Sequence, residues 1–344
     1  MATDPARPRY LVTGATGLIG RHVAVRLVES GARVRALVRR PEAAVNLARL
    51  GVEVVEGDLL ESRSVERVMS GVDVVVHAAA HVAEWGARRS FEATNVRGTA
   101  NVLDAAEAAR VGRFVHLSSV SVYGHRAGRG RLEETRPLQR TGEPYSDTKI
   151  AAEQMVFERH REGRLRASAL RPTLVYGPYD WKFVPKVAEA LMGRGLPLIG
   201  GGNHRADIVS VHDVVDLILL CASRPEAEGE AFNCSAEESL SWREVFTEIA
   251  ARIGAPPPTR KVPYRLAWGA GAALEACYRL AGSRRPPLVT RFGATLVGLP
   301  FEYDTSKAGR VLGFRAGRRF ADVLPEALDW WRRERGRAGA VAVG

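Results

Sequence analysis

Short apolar runs alternate with segments of helical periodicity through the first half of the chain. The apolar runs predict strands at 10–13, 33–38, 53–55, 74–77, 113–117 and 167–170. The periodic segments between them predict helices near 18–30, 41–50, 62–70, 88–110 and 146–161. The strand runs are almost continuously apolar (VVVHAAA, FVHLSS), which is typical of strands buried on both faces. The pattern therefore predicts an α/β fold, a doubly wound parallel sheet with helices on both faces.

The rhythm changes after Arg171, where prolines and three consecutive glycines mark irregular structure. Strands are predicted at 207–210 and 231–234, and both are expected to rejoin the sheet. A single core rarely grows beyond about 250–300 residues, so the 344-residue chain is expected to form two domains. The assignments are 1–171 with 205–235 for the sheet domain, and 172–204 with 236–344 for a smaller, mainly helical substrate domain.

Composition and charge indicate which partners and which cellular compartment to expect. The chain has 50 Lys+Arg and 39 Asp+Glu, a net charge of +11, but the basic residues are spread out. This distribution indicates a solvated surface and no nucleic-acid partner. The three cysteines include no C-x-x-C pair, so a reducing cytoplasm is expected. No apolar stretch reaches the length of about 18–20 residues that a membrane-spanning helix requires.

A glycine-rich turn joins the first predicted strand to the first predicted helix. Its sequence is Gly14-Ala15-Thr16-Gly17-Leu18-Ile19-Gly20, with the spacing G-x-x-G-x-x-G. Glycines at such a turn permit unusual backbone angles, close approach to a pyrophosphate and tight packing of helix on strand. The amides at the helix start would then face the phosphates. The turn predicts a dinucleotide cofactor bound by Gly14, Thr16, Gly17, Leu18 and Ile19.

The end of the second strand indicates which dinucleotide is preferred. An acidic residue there would bind the ribose 2′-hydroxyl of NAD(H). This chain has Arg39 and Arg40 instead. Guanidinium groups bind phosphate by charge and by their planar geometry, so NADP(H) is predicted over NAD(H).

Several motifs in order resemble the extended short-chain dehydrogenases/reductases, which are the NAD-dependent epimerase/dehydratase family with a Rossmann fold. The resemblance extends through about residue 215 and rests on the glycine turn, Gly57-Asp58-Leu59, His77-Ala78-Ala79-Ala80, Asn95, Ser118-Ser119, Tyr145-x-x-x-Lys149, and Arg171-Pro172-Thr173-Leu174-Val175-Tyr176-Gly177-Pro178. It implies that Asp58 and Leu59 contact the adenine, and that Ala78, Ala79 and Ala80 line the cofactor along the fourth strand. Ser119, Tyr145 and Lys149 would be catalytic, with Tyr145 and Lys149 also contacting the cofactor. Pro172 and Val175 would hold the nicotinamide.

Within that family, two further segments resemble the 3β-hydroxysteroid and sterol dehydrogenases and the bacterial 2-alkyl-3-oxoalkanoate reductases. They are AAHVAEWG at 79–86 and YDTSKA at 303–308.

The residues themselves suit hydride-transfer chemistry. Tyr145 and Lys149 lie four apart, so on a helix they share one face. A nearby ammonium and an oxidised nicotinamide would lower the phenol pKa from about 10. Ser119 follows an apolar strand, where its hydroxyl can bind a substrate oxygen while Tyr145 moves the proton. His77, His116 and His212 lack metal-ligand spacing, so no metal is predicted.

Three functions remain to be compared. The favoured one interconverts a secondary alcohol and a ketone on an apolar, steroid-like or lipid-like substrate. A nucleotide-sugar epimerase with tightly bound cofactor is the alternative, with Arg205 near the position that holds a diphosphate. A non-catalytic NADP(H)-sensing regulator typically lacks the Tyr/Lys pair. The sugar-nucleotide dehydratases carry Asp-Glu after the active-site Ser/Thr, where this chain has Val120 and Ser121.

The apolar segment 263–281 and the expected oligomeric state are the last two features predicted from the sequence. The apolar segment 263–281 leaves three interpretations: a lid over the substrate, a helix lying on a membrane surface, or a core helix of the small domain, which is favoured. The resemblance also implies a homodimer through helices near 98–110 and 146–161. Small residues on those helices permit close approach: Ala100, Ala105, Ala106, Ala108, Ala109, Ala151 and Ala152.

Overall fold

The computed structural model describes residues 7–124, 130–193, 195–283 and 285–341, with side chains to 336. The strands in these ranges are β1 (Arg9–Thr13), β2 (Arg33–Val38), β3 (Glu53–Glu56), β4 (Val74–His77), β5 (Arg113–Leu117), β6 (Ala167–Pro172), β7 (Leu174–Tyr176), β8 (Leu198–Ile199), β9 (Ile208–Ser210), β10 (Ala231–Cys234) and β11 (Lys261–Val262). The α-helices are α1 (Leu18–Glu29), α2 (Val45–Arg49), α3 (Ser62–Met69), α4 (Arg88–Phe91), α5 (Gly98–Ala108), α6 (Pro144–Arg161), α7 (Val184–Met192), α8 (Val211–Ser223), α9 (Trp242–Ile253), α10 (Tyr264–Leu280), α11 (Arg291–Gly298), α12 (Ser306–Leu312) and α13 (Phe320–Val341).

Seven parallel strands form the central sheet in the order β3-β2-β1-β4-β5-β6-β10. The chain moves outward from β1 to β3 and then returns to β4 on the other side of β1. Ligands in open α/β sheets bind at the carboxyl edge where the strand order reverses in this way. Thr13, His77 and His116 are register partners there. The fold is the doubly wound Rossmann architecture that the sequence predicts.

Apolar side chains cover both faces of the sheet. One cluster joins α1 and α8 to the sheet through residues such as Val23 and Val214. The other packs α3 and α5 through Val68 and Leu103. A separate aromatic cluster holds the helical C-terminal part together, with Trp242 buried at its centre. The rigid sheet therefore supports the loops at its carboxyl edge from both sides.

The predicted helix at 88–110 consists of three parts, α4, a π-helical stretch at Glu92–Arg97, and α5. The predicted helix at 41–50 begins with a 3₁₀ turn at Pro41–Ala44 and continues as α2. The six predicted strands of the first half are present with bounds that differ by at most two residues.

The strand predicted at 207–210 does not rejoin the central sheet. It forms β9, which pairs in parallel with β7 in a separate two-stranded sheet. The chain reaches Leu174 just after β6, and the edge of β6 is already taken by β10. The strand at 231–234 does rejoin the sheet, as predicted.

The expectation of a core helix at 263–281 is also wrong. That segment forms α10, in which only Ala267, Gly271 and Glu275 are buried. They form one narrow row at i, i+4, i+8, which packs toward α11. Four more residues of α10 are partly buried, and its other residues are exposed; the partly buried ones are Tyr264, Ala272, Leu274 and Tyr278. No helix in the described part of the chain is long and apolar enough to cross a bilayer.

Candidate active site

The glycine turn follows β1 as a backbone cradle. Gly14 has φ +70°, and a Cβ there would lie 2.7 Å from the Ala79 nitrogen, so only glycine fits. A Cβ on Gly20 would lie 2.3 Å from the Gly14 oxygen, which requires the third glycine for helix packing. Helix α1 begins at Leu18 behind Gly17, with no side-chain cap and no acidic residue in its first turn. The amides at its start suit a pyrophosphate, so the turn fits a dinucleotide.

A directional chain of hydrogen bonds fixes the loop after β4. The Ala79 amide donates to Thr13 Oγ1 at 3.2 Å, and the Thr13 hydroxyl donates to His77 Nδ1 at 2.8 Å, because the other nitrogen of the neutral ring is the donor. His77 Nε2 must then donate to Thr99 Oγ1 at 2.9 Å, because Thr99 donates to the Asn95 carbonyl at 2.7 Å. Every member has one role, and His77 is held as the neutral Nε2–H tautomer. Burial and, to a smaller extent, the Lys149 charge lower the His77 pKa to about 3.

Asn95 continues this chain toward α6. Its side-chain oxygen accepts from the His81 amide at 2.6 Å, and its Nδ2 donates to Thr148 Oγ1 at 3.0 Å. The loop 78–81 is thereby tied to the helix that carries Tyr145 and Lys149. Ala78, Ala79 and Ala80 are partly buried in this loop.

The adenosine end of the predicted site is a cavity of about 420 Å³ beyond β2 and β3. Arg39, Gly57, Asp58 and Arg63 are among its lining residues, together with Arg67. Arg40 is exposed and does not line this cavity. Arg39 thus lines the cavity and Arg40 does not, although the sequence predicted both as ligands of a 2′-phosphate.

Backbone contacts fix the neighbouring Asp58-Leu59 turn. Asp58 Oδ1 accepts from the Leu60 amide at 2.9 Å, and the Leu59 carbonyl accepts from Asn101 Nδ2 at 2.7 Å.

The predicted catalytic residues meet between β5 and α6. Ser119 follows β5, and its hydroxyl lies close enough to Tyr145, the second residue of α6, to lower the pKa of that phenol. Lys149, one turn further along, is 3% exposed and donates from Nζ to the Leu117 carbonyl. The backbone of β5 therefore fixes the ammonium next to the Ser119–Tyr145 pair.

Burial dominates the electrostatics of this pair. It raises the pKa of Tyr145 above its usual value, and the nearby Ser119 hydroxyl only partly opposes the shift. The lowered pKa predicted from the sequence depends on the ammonium together with an oxidised nicotinamide, and it stays a prediction for the complex with that cofactor. In the chain itself, Lys149 donates to a backbone carbonyl and is desolvated. Burial lowers the Lys149 pKa to about 8, against the Glu153 charge, which raises it. At neutral pH the chain thus holds a protonated phenol beside an ammonium that is close to its titration point.

A buried ion pair lies one turn beyond Lys149. Arg171 in β6 bonds both oxygens of Glu153, with Nε at 3.1 Å from Oε2. Its Nη1 donates to the Tyr123 hydroxyl at 2.7 Å, which in turn donates to Asn233 Oδ1 at 2.7 Å. Burial raises the pKa of Tyr123 to about 12. Both hydrogen-bonding roles of that phenol are used, so Tyr123 is not available as a second proton donor.

A family model described as "NAD dependent epimerase/dehydratase family" matches residues 10–235. The chain belongs to this epimerase/dehydratase family. A 2-alkyl-3-oxoalkanoate reductase of Shewanella oneidensis is 32% identical over 89% of this chain and 81% of its own length. The protein is an enzyme of the short-chain dehydrogenase/reductase type that acts on CH–OH groups.

Two more relatives span both branches of the family. A 4-hydroxy-2-methyl-3-oxo-4-farnesyl-3,4-dihydroquinoline-1-oxide ketoreductase of Stigmatella aurantiaca is 31% identical over 90% of this chain and 92% of its own. The solved structure of DesIV, a dTDP-glucose 4,6-dehydratase of Streptomyces venezuelae with NAD bound, superimposes with a TM-score of 0.76. It is 30% identical and covers 95% of this chain and 98% of its own.

The dehydratase branch of the epimerase/dehydratase family is distinguished by the two positions after Ser119. Val120 packs in a small apolar cluster with Val122 and Ile150. Ser121 donates its amide to Ser119 Oγ at 3.2 Å. Neither position offers a carboxylic acid or carboxylate, which the elimination of water requires.

Pro172 and Val175 lie where the family resemblance would put the nicotinamide. Pro172 ends β6 beside Cys234, and the Thr173 amide donates to the Cys234 carbonyl at 2.9 Å. Val175 is the central residue of β7 and is partly buried. The β10 edge thus fixes the start of this segment.

Arg205 does not project freely into a substrate site. Its Nη2 donates to the Ala236 carbonyl at 2.7 Å, and its Nε lies 3.3 Å from Asp207. It lines a cavity of about 710 Å³ together with Arg131, Arg310 and other residues.

Three residues that hold the site together were not identified from the sequence: Thr13, Thr99 and Glu153. Arg171 was identified there as part of a motif, but its ion pair with Glu153 was not. Glu153 alone had a local signal, since it repeats the four-residue spacing of Tyr145 and Lys149 along the same helix.

Proposed function

We propose that the enzyme is an NADP(H)-dependent oxidoreductase that interconverts a secondary alcohol and a ketone on an apolar, steroid-like or lipid-like 3-hydroxy/3-oxo substrate. The observation that carries this proposal is the placement of the buried Lys149, fixed by the Leu117 carbonyl, beside Ser119 and Tyr145 at the carboxyl edge of the sheet and next to the glycine cradle.

Ser119, Tyr145 and Lys149 have separate roles in the proposed reaction. The nicotinamide cofactor supplies or accepts the hydride when bound. The Ser119 hydroxyl orients the substrate oxygen toward Tyr145. The Tyr145 phenol, which burial keeps protonated, donates its proton to the oxygen as the ketone is reduced. The Lys149 ammonium favours the phenolate that remains, and the Leu117 carbonyl fixes its position.

Exposed apolar side chains support an apolar substrate. Val82 follows the Ala78–Ala80 loop, and Trp181, which is 61% exposed, follows the segment after β7. Lys182 joins the two loops by donating to the Val82 carbonyl. Two relatives also bear on this choice, because their names describe a reductase of 2-alkyl-3-oxoalkanoate and a ketoreductase of a farnesylated quinoline oxide.

The preference for NADP(H) rests on Arg39 and Arg63, which line the cavity beside Asp58. Two guanidinium groups can neutralise a 2′-phosphate there. The remaining contacts proposed for the cofactor are those of the cradle (Gly14, Thr16, Gly17, Leu18, Ile19), of Asp58 and Leu59, of the loop Ala78, Ala79 and Ala80, and of Tyr145, Lys149, Pro172 and Val175.

A nucleotide-sugar epimerase is the second candidate, and the cavity near Arg205 favours it. Arg131, Arg205 and Arg310 line this cavity, and such a cluster suits a diphosphate. Against it, the Arg205 guanidinium is already bound to Asp207 and the Ala236 carbonyl.

A substrate panel separates the two. Purified enzyme with NADPH is offered a 2-alkyl-3-oxoalkanoate, a 3-oxosteroid, UDP-glucose and dTDP-glucose, and NADPH absorbance and products are followed. We expect NADPH oxidation that depends on a ketone, with a secondary alcohol as product. Epimerised sugar nucleotide without net NADPH consumption would replace this proposal by the second one, and inertness toward both ketones would contradict it.

The proposed assembly is a cytoplasmic homodimer formed through α5 and α6. Ala105, Ala106 and Ala152 are buried inside the protomer and cannot contact a partner, whereas Ala108 and Ala109 are exposed. A monomeric mass by light scattering at micromolar concentration would contradict the dimer.

A further inference from the structure

Helix α10 carries an exposed apolar stripe. Leu266, Ala270, Ala273, Cys277 and Leu280 are all exposed, and their spacing of four, three, four and three residues places them on one helix face. Leu266 is 64% exposed and Leu280 90%. A contiguous apolar face of this kind is unusual on a solvated surface.

The charge around the stripe has a single sign. Arg260, Lys261, Arg265, Arg279 and Arg285 are exposed in this part of the chain. The sequence from 256 to 300 contains one acidic residue, Glu275. Glu275 is buried, and Arg291 neutralises it, with Nε at 2.8 Å from Oε2 and the backbone amide at 2.7 Å from Oε1. Within the described part of this segment, the exposed charged side chains are therefore all cations.

We infer that this stripe lies on an anionic lipid surface, with α10 parallel to the membrane plane. Arg265 and Arg279 each directly precede a leucine of the stripe, so they flank it by about 100° around the helix and can reach lipid phosphates while the leucines enter the acyl boundary. A second copy of this chain fits the stripe less well. A symmetric contact would bring the same cations of two copies together, and the exposed part of the segment offers no acidic partner.

The C-terminal end of α10 contacts the loop that follows Ala80 and carries the exposed Val82. Trp85, in the loop after Ala80, donates from Nε1 to the Ser283 carbonyl at 3.0 Å. Arg279 lies over the Trp85 ring with Cζ 5.2 Å from its centre. A membrane beneath α10 would thus lie next to the exposed apolar loops of the active site. The inference concerns the location of the enzyme in the cell. It does not depend on the substrate that is proposed above.

Vesicle flotation tests the inference directly. The full chain is mixed with vesicles of phosphatidylcholine alone or with phosphatidylglycerol, at low and high salt. We expect flotation with the mixed vesicles at low salt and a marked loss at high salt or on neutral vesicles, because salt and neutral lipid both remove the electrostatic attraction. Leu266→Glu and Leu280→Glu should each weaken partitioning at least about tenfold.

Leu50→Glu is the matched control, because Leu50 is 52% exposed and lies outside the stripe. It should float as the wild type does. An independent measurement keeps both leucines of the stripe. Cys277 is exposed whereas Cys221 and Cys234 are buried, so an environment-sensitive dye on Cys277 should shift to the blue when mixed vesicles are added.

Failure of the wild type to float with mixed vesicles, or no dye shift, would overturn the inference. So would equal flotation of the wild type and the two glutamate variants. A change of mass in light scattering caused by Leu280→Glu, without vesicle binding by the wild type, would assign the stripe to a second copy instead.

Discussion

Arg171 and Glu153 connect the central sheet to the catalytic helix through a buried ion pair, with Arg171 Nε 3.1 Å from Glu153 Oε2. Their side chains are 5% and 1% exposed. Glu153 lies one turn beyond Lys149 on α6. The same carboxylate therefore influences both the stability of the fold and the charge of the ammonium.

Glu153→Gln should destabilise the enzyme strongly. The amide keeps the shape of the side chain but leaves the buried Arg171 charge uncompensated, which typically costs about 3–5 kcal/mol in the free energy of unfolding. Urea denaturation measures the change. Glu107→Gln is the control, because Glu107 pairs with Arg159 and Arg164 at the partly exposed surface and should cost about 1 kcal/mol or less. Similar losses for both variants would contradict the argument.

Ketone reduction should slow as pH rises through about 8. The Lys149 pKa is lowered to about 8 by burial, so the ammonium is present below that pH and lost above it. The Glu153 charge raises that pKa. A folded fraction of Glu153→Gln should therefore lose activity at a lower pH than the wild type. The pH profile of kcat/KM on a confirmed substrate measures this loss of activity in the wild type and in Glu153→Gln. Identical profiles for the two proteins would refute the coupling between Glu153 and Lys149.

Tyr145→Phe should lower turnover by about 10²–10⁴-fold, the usual contribution of general acid–base catalysis, while folding and NADPH binding survive. Tyr123→Phe is the matched control. Its hydroxyl is bound to Arg171 and Asn233, so its loss should reduce stability but change turnover only a few-fold. Near-wild-type turnover by Tyr145→Phe would show that another group supplies the proton.

The other two catalytic candidates have distinct signatures. Lys149→Ala should impair both turnover and cofactor affinity, whereas Ser119→Ala should lower turnover with less effect on the cofactor. Steady-state kinetics and NADPH fluorescence titration separate these outcomes. Equal losses of cofactor affinity in both variants would contradict the division of roles.

Arg39→Ala should weaken NADPH binding by about 10–100-fold, the range expected for a hydrogen bond to a charged group, with little change for NADH. Arg40→Ala is the control, since Arg40 does not line the cavity beside Asp58. Titration of both cofactors against both variants measures the difference. Equal affinity of the wild type for NADPH and NADH would contradict the preference.

His77 should make the fold sensitive to acid. Its pKa is lowered from 6.5 to about 3 by burial, so between these values the unfolded chain binds a proton that the folded chain does not. The stabilising contribution is present above about pH 6.5 and is lost progressively as pH falls toward 3. His77→Gln should be less stable at neutral pH but should lose less stability between pH 7 and pH 4. Parallel pH dependences of the two proteins would contradict this assignment.

The sequence predicted the central sheet well because strands buried on both faces leave continuous apolar runs. It did not predict the pairing of β7 with β9, because three-residue strands such as Ile208–Ser210 carry almost no periodicity. The outward face of α10 was misassigned for a related reason. Apolar residues around a helix indicate burial, but the sequence does not show what covers them.

The catalytic residues were identified from the sequence because their spacing is local. Their supporting contacts were not, because they join residues far apart in the chain. Thr13 meets His77 across 64 positions, and the Arg171–Glu153 pair depends on how β6 docks against α6. The direction of the Tyr145 pKa shift in the chain itself also required the structure, since it depends on how far the phenol is buried.

The position of β10 has a consequence for how the protein is made. This strand closes the edge of the sheet beside β6, although it follows β6 by about sixty residues of intervening chain. A growing chain that has emerged only to Pro172 presents β6 as an open edge, and such edges recruit strands from other chains. We therefore expect ribosome-bound fragments that end before Ala231 to aggregate or to engage chaperones, and fragments that extend past Cys234 to become protease-resistant.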